Sequence, residues 1–300
     1  FYFLFFGLML SDAAYGLILT TLCAIILKKY KPEGTTHRMI KMFMFCGLST
    51  FMWGALFGGW FGNFFTVAAK TFFGKEFVIR PLWFDPLSEP MRLLVVSLIL
   101  GAIHLFVGMG VQAYMDIKDG RPLDALFDIG LWYLLLIGIV LFAFGGKLGA
   151  GAVGIGKIMA IVGAVGILLT GGRKKKGIFG KLTGGLGSLY GITSYLSDVL
   201  SYSRLLALGL ATGVVAQVFN TLGSLAGGGI AGSILLIVVF AFGTVFNIAI
   251  NALGAFVHSC RLQYVEFFGK FYTGGGRPFA PFERKTKYIK ILKEGNDNVK

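Results

Sequence analysis

The sequence predicts an all-α integral membrane protein, a bundle of seven to eight transmembrane helices whose last two are long and tilted. Three observations carry that expectation. Of 300 residues, 56% are hydrophobic and only 14% are charged, against roughly 25% charged in a soluble domain. The mean hydropathy is +0.77. The apolar residues come in long runs, about the 20 residues that carry a helix across a bilayer, where barrel strands would alternate polar and apolar. A content of 45 Gly against 7 Pro suits membrane helices.

The first run is Phe1–Leu27, interrupted by Gly7, Asp12 and Gly16. The second is about Met42–Ala69, with Gly54, Gly58 and Gly62 at four-residue spacing, a flat strip that lets another helix approach closely. The third is about Met91–Tyr114, the fourth about Leu126–Phe144 and the fifth about Val153–Thr170. The sixth, Leu189–Phe219, carries Arg204 near its middle, and the seventh, about Ser233–Phe268, exceeds what a perpendicular crossing requires. This divides the chain into an N-terminal bundle (1–182), a tilted helix pair carrying the functional residues (183–268) and a basic tail (269–300).

The net charge of +14 sits between the spans, a distribution that reflects cytoplasmic loops and argues against nucleic-acid binding. Loops 28–41 and 172–184 and the tail are strongly basic and fall on one side, so they are expected to be cytoplasmic. Seven spans then put Phe1 outside. A preceding cytoplasmic domain requires either an additional span or a break of Phe1–Leu27 into two short helices near Asp12. The chain opens inside an apolar run without a basic n-region or cleavage site, which is no signal peptide. It reads as a fragment lacking its N-terminal part.

Cys23, Cys46 and Cys260 lie in apolar stretches and predict neither disulfides nor a metal site, and His37, His104 and His258 form no ligand cluster. Gly151–Ile158 imitates a phosphate-binding loop but lacks its hydroxyl residue and opens a span. No nucleophile–base set or catalytic carboxylate pair is present. The chain is expected to perform no covalent chemistry itself and to need no cofactor.

The unusual feature is charge inside the last two spans. At about 100° per residue, Ser194, Ser197, Ser201, Arg204 and Thr212 fall within roughly 80° of one another, with Asp198 at the edge. On the seventh span Thr244, Asn247, Asn251, His258 and Arg261 fall within roughly 100°, and Glu266 lies off the Arg261 side. Ser, Thr and Asn commonly bind helices together, and His104 reads as a satisfied core histidine. Asp12 reads equally as a cap at a helix break. The arginines resist such readings, because Asp198 and Glu266 stand at unfavourable angles for pairing with them. A guanidinium keeps its proton in any protein environment, and one at the centre of a span costs about 2.5–3.5 kcal/mol. A polar track holding a fixed cation suits ion movement past a carboxylate supplied by another subunit.

The runs Phe5–Gly16 (FFGLMLSDAAYG), Asp198–Ala211 (DVLSYSRLLALGLA), His258–Tyr272 (HSCRLQYVEFFGKFY) and Pro278–Phe282 (PFAPF) resemble the a/I subunit of V-type and archaeal-type rotary ATPases, prokaryotic-like, over that subunit's membrane half. The resemblance implies a stator beside a rotor ring of small c/K-type subunits, each with one carrier carboxylate. Two half-channels would meet the ring near Arg204 and Arg261, with Glu266, His258 and Asp198 lining or supporting them; the polar residues Ser201, Asn251 and Asp12 are further candidates for the ion path. It implies H⁺ or Na⁺ translocation in a prokaryotic plasma membrane, with the ATP chemistry in a soluble sector reached through peripheral stalks and an N-terminal domain absent from this chain. Eukaryotic members carry an acid where this chain has Asn251 and a histidine where it has Thr212, so the luminal steps are expected to differ. The alternative reading is an autonomous secondary transporter or channel, and a third is a membrane scaffold.

Overall fold

A computed structural model describes residues 1–74, 79–147, 150–173, 178–225, 229–277, 279 and 281–282. The cluster Lys174, Lys175 and Lys176, Pro278 of the last motif and the tail from residue 283 lie outside the described residues. Among the described residues every regular element is helical: α1 Tyr2–Leu10, α2 Ala13–Tyr30, α3 Gly34–Phe57, α4 Phe64–Phe73, α5 Pro90–Lys118, α6 Pro122–Ala125, α7 Leu131–Phe144, α8 Ala150–Thr170, α9 Ile178–Tyr190, α10 Ile192–Ser201, α11 Ser203–Ser224, α12 Ile230–Arg261 and α13 Gly269–Phe271. π-helical turns join α6 to α7 at Leu126–Gly130 and α12 to α13 at Leu262–Phe268. Among the described residues seven stretches are long and apolar enough to cross a membrane, and the chain is a multi-pass membrane protein.

Phe1–Leu27 is two helices. Ser11 ends α1 in the left-handed conformation, φ 36°, and extended Asp12 begins α2. One Asp12 oxygen accepts from the N–H groups of Ala14 (3.0 Å) and Tyr15 (3.2 Å), and the other accepts from Gly62 N–H (3.0 Å). Along α3, Phe3 meets Phe45 and Gly7 meets Ser49, whereas Ala13 meets Gly54 and Gly16 meets Phe51. Thus α1 runs parallel to α3 and α2 antiparallel, and the chain reverses at Ser11–Asp12.

The second span is shorter than its hydropathy suggests. Gly58 (φ 73°) ends α3 after Phe57, and Gly62 (φ 63°) is a turn residue. Of the three spaced glycines, Gly54 is the one that packs as expected within a helix. A Cβ there would lie 2.0 Å from the Ala13 nitrogen. The aromatic residues Trp60, Phe61, Phe64 and Phe65 carry the apolar run across the turn into α4, which hid the helix end. Gly151–Ile158 lies within α8, not after a strand.

The last two membrane stretches cover Thr183–Ser224 (42 residues) and Gly232–Phe271 (40 residues). At ~1.5 Å per residue each would reach about 60 Å, twice a ~30 Å hydrocarbon core. They must tilt or project beyond it.

Two apolar clusters hold the bundle. In the first, Phe5, Phe6, Leu8, Met9 and Leu10 of α1 are fully buried among α3, α5, α11 and α12. The second joins Met109, Ile129, Trp132, Leu135 and Ile167. There α7 and α8 approach closely through glycine, with a Cβ at Gly138 falling 2.5 Å from the Ala160 nitrogen. Helix α5 contributes to both clusters, Leu93 and Leu105 to one and Met109 to the other.

Overpacking a close helix contact costs about 1–3 kcal/mol. Gly54→Ala is therefore expected to lower the melting midpoint of the detergent-solubilised protein by several degrees. An unchanged midpoint would contradict this packing of α2 on α3.

Candidate functional site

Helices α11 and α12 run antiparallel, with Gly243 against Phe219 and Gly223 against Leu236. Their inward polar groups hold the helices to one another and to α1 and α2. Asn247 donates to the Tyr15 hydroxyl (3.0 Å) and to the Thr212 carbonyl (3.1 Å), and Asn251 donates to Asn247. Thr212 Oγ1 bonds to the Met9 carbonyl (3.3 Å), and Ser11 Oγ to the Gly209 carbonyl (3.3 Å). Ser, Thr and Asn act here as helix-binding groups, the ordinary role of such residues in lipid.

The arginines behave differently. Arg204 is half-buried at the start of α11 and Arg261 is exposed at the end of α12. Among the described residues neither forms an ion pair. Arg204 is within electrostatic range of Arg261 and Glu266, and His258 is within range of both arginines. Glu266, buried at 2% exposure, is within range of both arginines and of Asp198. Arg204 Nη1, His258 Nδ1, Gln263 Oε1 and Glu266 Oε2 are buried atoms without a hydrogen-bond partner among the described residues.

The π turn explains how Glu266 joins this group. In an α-helix, five residues turn through ~500°, leaving Glu266 about 140° from Arg261. Leu262–Phe268 is wound instead as a π-helix, in which residue i+5 bonds back to residue i. The wider turn carries Glu266 round toward the Arg261 side, so the angle inferred from a regular helix is corrected.

Asp198 has a partner that its own helix could not reveal. Lys270 Nζ lies 2.5 Å from its Oδ2, with side-chain exposures of 15% and 20%, and the same ammonium stands 4.3 Å from the Tyr195 ring centroid. Ser194 and Ser197 are exposed, and half-buried Ser201 donates to the Ser197 carbonyl (3.1 Å).

The structure therefore gathers Arg204, Arg261, Glu266, His258 and Asp198 into one electrostatic group, with Ser201 next to it on α10. Asn251 faces the packed interior. Asp12 lies toward the other end, at a cavity of about 230 Å³ whose lining includes Ser11, Asn63, Asp85, Gly209 and Gln217. Gly209, in contact with Ser11, is five residues from Arg204 on α11, about 7.5 Å along the axis. Sequence reasoning passed over Lys270, Gln263 and Tyr202, all within or beside the quoted motifs. A lone acid in an apolar stretch, Asp198, was the signal for a basic partner.

Removing one member of a buried ion pair costs more than removing both. Lys270→Met should lower the melting midpoint in detergent more than Lys270→Met combined with Asp198→Asn. Equal or additive losses would show that the pair is not coupled.

Comparison with known proteins identifies relatives of the chain. Residues 192–284, the stretch that holds the arginines, match the model of the V-type ATPase 116kDa subunit family. The chain is 35% identical to A-type ATP synthase subunit I of Methanocaldococcus jannaschii over 95% of its own length and 44% of that protein's. It is 36% identical to the subunit of the same name in Thermococcus kodakarensis, over 97% and 43% respectively. V-type ATP synthase subunit I of Borreliella burgdorferi is 25% identical over 96% and 48%. The chain thus spans somewhat under half the length of the curated relatives it matches. From its motifs, its helices and these relatives, the chain belongs to the V-type ATPase 116kDa subunit family.

Proposed function

We propose that this chain is the membrane part of a rotary ATPase stator, moving H⁺ or Na⁺ past a rotor ring of small c/K-type subunits. The observation that supports this most is the pair of arginines, neither with a carboxylate partner in its own chain among the described residues. A carboxylate on a passing ring subunit would supply the missing charge. Two unit charges ~4 Å apart at an effective dielectric of ~20 interact by about 4 kcal/mol. That equals about three pKa units, enough to make a loaded carboxyl release its ion. The fixed positive charge also bars a direct leak of cations.

Two access routes complete the reading. On the positive-inside pattern, the end of the bundle holding the Lys31 turn is cytoplasmic. Glu266, His258, Asp198 and Ser201 then border the cytoplasmic half-channel, where buried polar atoms without protein partners suit a hydrated path. The cavity at Asp12, on the opposite side, belongs to the outer half-channel. Asn251 and Thr212 hold a neutral, packed stretch between them, so the outer route must pass beside Asn251. Nucleotide chemistry falls to a soluble sector joined through peripheral stalks. The chain itself is no catalyst, and it lies in a prokaryotic plasma membrane with its basic tail inside.

In a complex assembled with the full-length subunit, Arg204→Ala is expected to reduce ATP-driven ion pumping by roughly 10²–10³-fold while assembly persists. Pumping at the parent level in the assembled variant would overturn the assignment. The isolated chain in liposomes should conduct almost nothing. Robust ion or solute flux without a ring would favour an autonomous transporter.

Glu266→Gln should reduce pumping less, by about 3–10-fold, the loss of one charged contact. Parent-level pumping at every ion concentration would remove Glu266 from the path.

A further inference from the structure

We propose that His104 of α5 is a positioning residue for the arginine pair, acting through Tyr202 and Phe267. The inference rests on the stator reading and adds a helix to it that carries none of the ion-path charges.

His104 and Tyr202 are both 0% exposed. His104 Nδ1 and the Tyr202 hydroxyl share a hydrogen bond of 2.8 Å across 98 residues of sequence. Tyr202 immediately precedes α11 and stands two residues before Arg204. Around it the backbone tightens, with Tyr202 N–H bonding to the Val199 carbonyl (3.1 Å) and Leu205 N–H to the Tyr202 carbonyl (3.0 Å). These i−3 bonds depart from the regular i−4 ladder, so the direction in which α11 sets out depends on how Tyr202 is held.

The other face of the imidazole holds the second helix. Its ring stacks on Phe267 at 4.5 Å between centroids and 4° between planes. Phe267 follows Glu266 within the π turn. One side chain thus touches the residue that leads into Arg204 and the residue that follows Glu266. The backbone of α5 is shaped to match. A Cβ at Gly101 would fall 2.3 Å from the Tyr202 ring, and one at Gly108 would fall 3.2 Å from the Phe267 ring.

The consequence is geometric. The π turn and the tightened 3₁₀-like turn are both local departures from the α-helix. His104 ties them together at one level, fixing the separation and rotation of the two arginine-bearing helices. An unbonded Tyr202 hydroxyl would be a buried polar group without a partner, an arrangement that proteins avoid.

Four variants in the assembled complex separate this role from simple packing, each read as ion pumping per assembled complex and as ions moved per ATP hydrolysed. Asn places an amide near the Nδ1 position but removes the ring, and Phe retains the stack but removes the hydrogen bond. His104→Phe and Tyr202→Phe are each expected to lower pumping about tenfold. Combining them should add little further loss, the signature of two residues acting as one unit. His104→Asn keeps a partner for Tyr202 but loses the stack on Phe267, so its pumping should fall between that of the parent and that of His104→Phe. Parent-level pumping in assembled Tyr202→Phe, or losses that multiply in the double variant, would overturn the inference. Tyr202→Phe removes a single oxygen and keeps the test open should a His104 variant fail to assemble. Arg204→Ala is the control for the underlying reading: if it pumps normally, the stator assignment fails. If it is inactive while Tyr202→Phe is normal, only the role of His104 fails.

Discussion

Two charges that cannot be neutralised sit where α11 begins and α12 ends, one half-buried and one exposed. A guanidinium does not shed its proton in a protein, and a charged group within a membrane is costly unless it meets a partner or water. Some of the charged side chains elsewhere near the bundle ends find carboxylate partners. Arg173 lies 2.6 Å from Asp124 and 2.8 Å from Asp128, and Lys270 takes Asp198. Glu266 is within electrostatic range of both arginines, and among the described residues it pairs with neither. Leaving Arg261 exposed on the open side of α12 makes the bundle electrostatically incomplete, and a passing carboxylate would complete it.

Holding two cations near each other requires a frame that resists their repulsion. Three devices supply it. The reversal at Ser11–Asp12 sets α1 and α2 against α11 and α12, where the Met9 carbonyl accepts from Thr212, the Tyr15 hydroxyl accepts from Asn247 and Ser11 donates to the Gly209 carbonyl. The π turn rotates Glu266 toward the arginines without a break in the helix. Helix α5 grips both members of the pair through His104. The reversal and the π turn trade ideal helix geometry for position, as functional sites commonly do.

Much of this was legible before any coordinates. Long apolar runs gave the helices, because a bilayer leaves few alternatives. Arg204, Arg261 and Glu266 stood out because charge inside a span is rare. Asp12 marked a possible break, and the break is there. What stayed hidden has definite causes. The end of α3 at Phe57 was masked because Trp60, Phe61, Phe64 and Phe65 keep the turn apolar. The π turn has no composition of its own, so Glu266 was set at the wrong angle. The Asp198–Lys270 pair and the His104–Tyr202 bond join residues 72 and 98 positions apart, a distance that helical periodicity within one span cannot bridge. His104 read as a core histidine and is one, 0% exposed and bonded to Tyr202, a partner that the sequence does not name.

The central claim concerns where the arginines find their counter-charge. The direct test is the separation between the Arg204 and Arg261 guanidinium groups and the nearest carboxylates in a map of the intact complex. The account predicts that a carboxyl from one ring subunit lies within about 4–6 Å of an arginine. Guanidinium groups turned from the ring, each paired with an acid of its own chain, would contradict it.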